Sequence, residues 1–289
     1  MRALVLSGGG PLAVAWETGL LWGLSQAGLD PLEADFILGT SAGAIIGAHL
    51  AFGRTPETLA LALIADAERP QPQPADGAQS FPMPALARLP ALFAQAHAGP
   101  GDEGRAAVGA AARQAVTPPA EVHHSSMVHA LAGAAWTDKA LGCCVVDAES
   151  GAVRVLDRDC GGDLTDAVAA STCLPGLSPP VAIGGRFYLD GGLRSSANAD
   201  LAVGYERVLV VSFQPATPAG PRMAARVAEE VARLEAGGAS VSVIACDAAS
   251  QAAIGETTWD MSRCPAVIHA AAAQGLAAIA AARAVWDAA

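Results

Sequence analysis

Three short stretches hold residues able to do nucleophilic chemistry: Ser7-Gly8-Gly9-Gly10, Gly39-Thr40-Ser41-Ala42-Gly43 and Asp190-Gly191-Gly192. The second is a G-x-S-x-G pattern between a short apolar stretch and an apolar helix. In a strand–turn–helix context that pattern strains one serine and exposes its hydroxyl at the strand's C-terminal edge. Gly39 and Gly43 let the backbone pack closely around the turn, and the helix N-terminus favours negative charge at the same spot. A plain N-cap, with Thr40 or Ser41 satisfying a free N–H, fits these five residues equally well. The first stretch is a glycine-rich turn before a helix, whose backbone N–H groups form an anion pocket. It reads as a phosphate loop, an oxyanion hole or a merely structural turn. The nucleotide motifs are incomplete: no G-x-x-x-x-G-K-[ST] occurs, and Ala13 and Val14 stand where G-x-G-x-x-G needs glycine. Asp190 offers a carboxylate before two glycines, a pattern also common in ordinary turns. A serine needs a positioned base, and a desolvated carboxylate within hydrogen-bond reach can be one.

The surrounding elements decide whether these residues meet. Arg2–Leu6 reads as a buried strand, followed by a helix over about Leu12–Ala27 that Gly28 closes, and by a strand at Asp35–Leu38. This βαβ unit places two parallel strands side by side with both turns at one edge. The Gly8–Gly10 backbone and the Ser41 hydroxyl then share a rim, which favours the nucleophile over the cap. A helix follows at about Pro56–Glu68. Residues 70–119 hold nine of the nineteen prolines, including QPQPADG, around helical stretches near Ala85–Ala96 and Arg105–Ala115. This predicts a helical, Pro-rich insertion at about 70–125, lid-like or a passive surface addition. Two strands at Leu141–Val146 and Ala152–Leu156 form a hairpin, and a helix lies near Leu164–Ala170. A second hairpin, Val181–Ile183 with Arg186–Leu189, delivers Asp190. The last third alternates strand Arg207–Phe213, helix Arg222–Glu235, strand Ser240–Cys246 and helix Ala266–Trp286. The whole pattern predicts one α/β domain over residues 1–289.

Composition narrows the partners. The chain carries 28 acidic and 17 basic residues, a formal charge of −11, and Lys139 is its one lysine. No basic stripe exists, so nucleic-acid binding is not expected, and membrane-surface contact is expected to be transient at most. The apolar run Ala3–Leu6 is too short for a signal-peptide core, and the run near 41–52 is too short for a bilayer span. A cytoplasmic location is the expectation. Six cysteines without regular spacing suit buried thiols, with Cys143 and Cys144 on opposite faces of a strand. Neither a metal nor a cofactor is expected: no Cys-x-x-Cys or clustered carboxylate loop occurs, and His123-His124 lacks helical ligand spacing.

With its three motifs in this order, the chain resembles the patatin-like phospholipases over most of its length, from the first strand to the final helix. Ala170-Ser171, Pro175, Pro179-Pro180-Val181 and Val210–Phe213 agree further. The resemblance implies a three-layer α/β/α fold with a mainly parallel central sheet. It also implies a Ser–Asp dyad: Ser41 as nucleophile, Asp190 as its base, and the N–H groups of Gly8, Gly9 and Gly10 around the oxyanion. Gly39, Gly43, Gly191 and Gly192 support these motifs. The implied chemistry is hydrolysis of a lipid or small acyl ester through an acyl-serine. This chain departs from the family at Pro11-Leu12-Ala13, where a basic residue and another glycine are usual. Three alternatives stay open. One is a silent fold that binds an acyl ligand, a lipid or a protein partner. Another is acyl transfer by the same serine. The third is a Ser…Asp…His triad with His269 after Asp190 or Asp247, opposed by the single strand that precedes Ser41.

Overall fold

A computed structural model describes residues 1–69, 83–216 and 220–287. The QPQPADG stretch lies outside the described residues. Among them, eight strands form one mixed sheet: β1 (Arg2–Leu6), β2 (Phe36–Thr40), β3 (Ala140–Asp147), β4 (Val153–Leu156), β5 (Val181–Ile183), β6 (Arg186–Asp190), β7 (Arg207–Ser212) and β8 (Ser240–Ala245). The order is β5-β6-β3-β2-β1-β7-β8, with β4 paired to β3 off this path. The run β3-β2-β1-β7-β8 is parallel throughout. β4 and β6 both meet β3 antiparallel, and β5 meets β6 antiparallel. Parallel strands with both faces covered need no polar alternation, and β1 is an almost unbroken apolar run.

Helices make the outer layers: α1 (Pro11–Gln26), α2 (Ala42–Ala51), α3 (Pro56–Glu68), α4 (Met83–Leu86), α5 (Leu89–Ala96), α6 (Glu103–Gln114), α7 (Ala120–Leu131), α8 (Leu164–Ser171), α9 (Gly220–Ala236), α10 (Ala248–Ile254) and α11 (Cys264–Trp286). Leu4, Leu6, Ile37, Cys143 and Val145 point to one face, into a core shared with α1, α2, α8 and α11. Ala3, Val5, Leu38 and Cys144 point to the other, against Val227 and Leu234 of α9. The adjacent thiols therefore separate as a strand's period of two requires. Burial pushes the Cys144 thiol up to about 12, so it behaves as a small apolar side chain.

α1 and α11 lie in close backbone contact. A Cβ on Gly23 would stand 2.0 Å from the Ala272 carbonyl oxygen, and one on Gly275 would stand 2.3 Å from that of Leu20. α11 is long and apolar enough to cross a bilayer. Here Val267, Ile268 and Ala271 are buried in the same core as the α1 residues Leu20 and Leu24.

The described part of the predicted insertion divides its work. Ala96 of α5, with Val108 and Ala112 of α6, packs on Val146, Leu189 and Leu193, extending the second helical layer. Residues 116–119 and α7, a helix that the sequence pattern did not predict, instead wall a cavity on the opposite face. This segment is built into the fold on both sides of the sheet.

Candidate active site

The turn between β2 and α2 is made by steric exclusion. Ser41 has φ 53° and ψ −112°, a backbone state costly for a residue with a Cβ. A Cβ on Gly39 would lie 2.5 Å from Gly43 O and Ala44 Cα, and one on Gly43 would lie 2.2 Å from Leu6 O. Only glycine fits either place. The Gly43 N–H donates to Ser7 O at 2.9 Å, tying the start of α2 to the end of β1. The Ser41 N–H donates to Ser171 Oγ at 3.0 Å, and that hydroxyl donates to Cys144 O at 2.7 Å. Ser41 is thus held from α8 and β3 as well as from its own turn.

Asp190 ends β6 and is almost wholly buried, 1% exposed. Its N–H donates to Cys173 O at 2.9 Å, and its Oδ1 accepts the Gly192 N–H at 2.7 Å. The Ser41 side chain lies beside the Asp190 carboxylate and favours its charged form. Burial pushes the Asp190 carboxyl up to about 6, against the lowering effects of the Ser41 side chain and the Gly192 N–H. The lack of a Cβ on Gly191 lets the chain pass Cys144 O, which such a Cβ would approach to 2.5 Å. Ser41 and Asp190 therefore come from strands that meet end to end along one edge of β3, while β4 takes its other edge.

The loop after β1 supplies a row of backbone donors. Gly8 lies against Ser41: a Cβ there would sit 3.0 Å from Ser41 Cβ. The Gly8 N–H, however, donates to Ser196 O at 2.7 Å, so it is occupied. The N–H groups of Gly9, Gly10 and Ala42 have no acceptor among the described residues. Gly10 takes φ 84°, a conformation open to glycine, and Pro11 starts α1 where its missing N–H costs little.

Ser7 anchors this loop. Its N–H and hydroxyl both donate to Glu17 Oε1, at 2.9 and 2.8 Å, and its Oγ accepts the Phe213 N–H at 2.7 Å. Glu17 is fully buried on α1, and burial holds its carboxyl well above the usual carboxylate range. The Phe213 ring fills the place of a Gly9 side chain, where a Cβ would come within 2.2 Å.

A cavity of about 1500 Å³ opens from Ser41. Val14, Ile45, Ile46, Leu59, Leu63 and Met127 are among its walls, so most of the lining is apolar. Leu174, Leu177 and Trp259 also face it. His49, in the same wall, is lowered to about 4 by burial and by Arg54, so it is neutral at ordinary pH.

The structure brings the three motifs to one rim of the sheet, with the Gly8 N–H already occupied, and it adds residues that no motif marked. Ser171 had appeared only as part of a family likeness, without a role. Glu17 gave one usable signal, a lone acid in an apolar helix. Phe213 gave none. The third alternative does not assemble: His269 is exposed on α11 beside Trp22, with ring centroids 6.5 Å apart. Asp247 instead caps α10 through the Ser250 N–H. His124, Asp163 and Asp166 lie together at the start of α8, where the two aspartates form its capping box.

No curated protein matches this sequence. The chain is similar in structure to the type III effector protein ExoU, at 15% identity and a TM-score of 0.36, covering 95% of this chain and 53% of that one. It is also similar to VipD from Legionella pneumophila, at 14% identity and a TM-score of 0.45, covering 96% of this chain and 67% of that one. The chain thus spans about half the length of the first of these. The family model described as patatin-like phospholipase matches residues 4–203, from β1 past Asp190. With more than half of its length matched, the chain belongs to the patatin-like phospholipase family.

Proposed function

We propose that this chain hydrolyses carboxylic esters of lipids through an acyl-serine, with Ser41 as nucleophile and Asp190 as base. The observation that supports the reading is the strained Ser41 at the mouth of an apolar cavity, with the buried Asp190 carboxylate beside it. An Asp190 carboxyl near 6 is ionised at neutral pH yet basic enough to take the serine proton as the bond to the acyl carbon forms. The proton then passes from Asp190 to the leaving alkoxide. In the second half, Asp190 takes a proton from the water that attacks the acyl-serine and returns it to Ser41 Oγ as the acyl–oxygen bond breaks and the acid leaves. The N–H groups of Gly9 and Gly10, with that of Ala42, are the free donors for the tetrahedral oxyanion; Gly8 shapes the loop and is not a donor. Each such donor is worth on the order of 10²–10³ in rate. The cavity takes the acyl chain, and its volume exceeds that of a typical small-ligand pocket, about 300–1,000 Å³.

A fluorophosphonate probe, with adducts located by mass spectrometry, tests the reading beside turnover of p-nitrophenyl acyl esters. The expected result is modification of Ser41, with labelling and turnover both lost in Ser41→Ala. A folded wild-type protein that neither labels nor turns over would overturn it.

A further inference from the structure

Between the two halves of the dyad lies a buried side chain that the reaction does not use. Asn198 is fully buried and sits eight residues after the base. Its Nδ2 lies 3.1 Å from Thr40 Oγ1, 3.2 Å from Gly191 O and 2.8 Å from Ser195 O. Thr40 immediately precedes Ser41, and Gly191 immediately follows Asp190. One amide therefore touches the backbone neighbour of each reacting residue.

We propose that Asn198 is a positioning residue that sets the Ser41–Asp190 separation by bridging Thr40 to Gly191; this rests on the dyad reading above. The two Nδ2 hydrogens serve three oxygens, so the amide is saturated as a donor. Its Oδ1 accepts from Arg194 Nη1 at 3.0 Å, which fixes the amide plane from the other side. Arg194 is itself held by Asp200, at 2.8 and 2.6 Å, and the Ala199 N–H donates to Glu230 Oε2 at 2.9 Å. The bridge is thus anchored in a buried polar network rather than in a loose loop. Thr40 Oγ1 lies 3.4 Å from Ala197 O, so the same short segment meets the nucleophile strand twice. A small misplacement of reacting groups costs up to about 10²-fold in rate, so a clamp at this position acts on turnover more than on binding.

Asn198 also has φ 52° and ψ 35°, a left-handed state that asparagine tolerates well. A purely conformational role predicts that glycine replaces it without loss. Asn198→Gly keeps that backbone state and removes the bridge, while Thr40→Val removes the nucleophile-side acceptor together with its long contact to Ala197 O. The experiment measures fluorophosphonate labelling rate, kcat and KM on a soluble acyl ester, and thermal unfolding. Wild type, both single variants and the double variant are compared.

The expected result is a loss in kcat and labelling rate of about 10–100-fold for Asn198→Gly and about 5–10-fold for Thr40→Val. KM should stay within about twofold, and the double variant should be no slower than Asn198→Gly. Labelling of Asn198→Gly at the wild-type rate, or single-variant effects that multiply in the double variant, would overturn the bridge. If Asn198→Gly does not fold, a folded Thr40→Val that labels at the wild-type rate overturns it alone. Failure of wild type to label counts against the dyad reading, so the two failures are distinct.

Discussion

The Ser41 side and the Asp190 side of this site are held by different physics. Around Ser41 the chain is fixed by backbone against backbone, with Gly39 and Gly43 in places that exclude a side chain. Around Asp190 it is fixed by hydrogen bonds: Gly192 N–H to its carboxylate, its own N–H to Cys173 O, and the Asn198 amide on Gly191 O. The first arrangement comes from one local βαβ unit, in which two parallel strands place both turns on one rim. The second comes from an antiparallel hairpin that meets β3 in reverse. A serine forced into a strained conformation needs a rigid cradle. A buried carboxylate needs donors around it, which side chains and free N–H groups supply.

The largest effect that would break this contrast is steric. Gly43→Ala puts a methyl within 2.2 Å of Leu6 O, and backbone cannot yield there without parting α2 from β1. A stability loss above about 4 kcal/mol is expected, read by urea unfolding. Gly192→Ala is the control on the other side. Its Cβ would meet Asp190 Oδ1 at 2.9 Å and Phe93 at 3.5 Å, both parts of side chains. A loss of about 1 kcal/mol is expected there, with a larger fall in turnover than in stability. Equal stability losses in the two variants would erase the distinction.

The next effect concerns charge. Asp190 is raised from 3.8 to about 6, so the unfolded chain gives up this proton first as pH rises. The corresponding stability is fully present below about pH 4 and is lost as pH climbs through 6, about 3 kcal/mol in all. Asp190→Asn removes that loss, so the inactive variant should be more stable than wild type at pH 8 and not at pH 4. Thermal unfolding at both pH values checks it. In the active protein, kcat/KM should rise with pH through an apparent value near 6 and level off above it.

Ser171→Ala gives a smaller effect that sharpens the comparison. It leaves the Ser41 N–H and Cys144 O without their shared partner. A loss of about 1–3 kcal/mol is expected in urea unfolding, with turnover reduced and Ser41 still labelled. Glu17→Gln should change least. Its amide oxygen can still accept from Ser7, and burial already holds the carboxyl well above the usual carboxylate range. Turnover within about threefold of wild type is expected, against a loss of about 10-fold or more for Glu17→Ala, which frees the loop.

The same contrast explains what could be read from the sequence. Gly8–Gly10 and Gly39–Gly43 stood out because close backbone approach leaves a local mark, glycine at fixed spacing beside a strand. The sheet strands and the α1 and α11 helices were legible from apolar runs and periodicity, within a few residues at their ends. Asp190 was visible only as an Asp-Gly-Gly turn until the family likeness gave it a partner. Ser171, Asn198 and Phe213 could not be picked out, because each acts across more than a hundred residues of chain and small polar or aromatic residues carry no local signature. The Gly8 N–H was expected among the oxyanion donors; its bond to Ser196 O depends on a loop from the far side of β6. The helix α7 was missed for a related reason: Val122 and Met127 face a cavity, Val128 is exposed and Leu131 alone is buried in the core, so they make no clean stripe.

The close contact of α1 with α11 has a consequence for how activity relates to folding. α1 carries the anion loop at its start, and its other end rests on a helix that follows more than two hundred residues later. Joining such distant segments is entropically costly and comes late, after local contacts have formed. A partly folded chain can therefore hold the Ser41 turn without a seated anion loop or a base. Ester turnover then reports completion of the whole fold. It should vanish in denaturant together with tryptophan burial at Trp16 and Trp286, and not before.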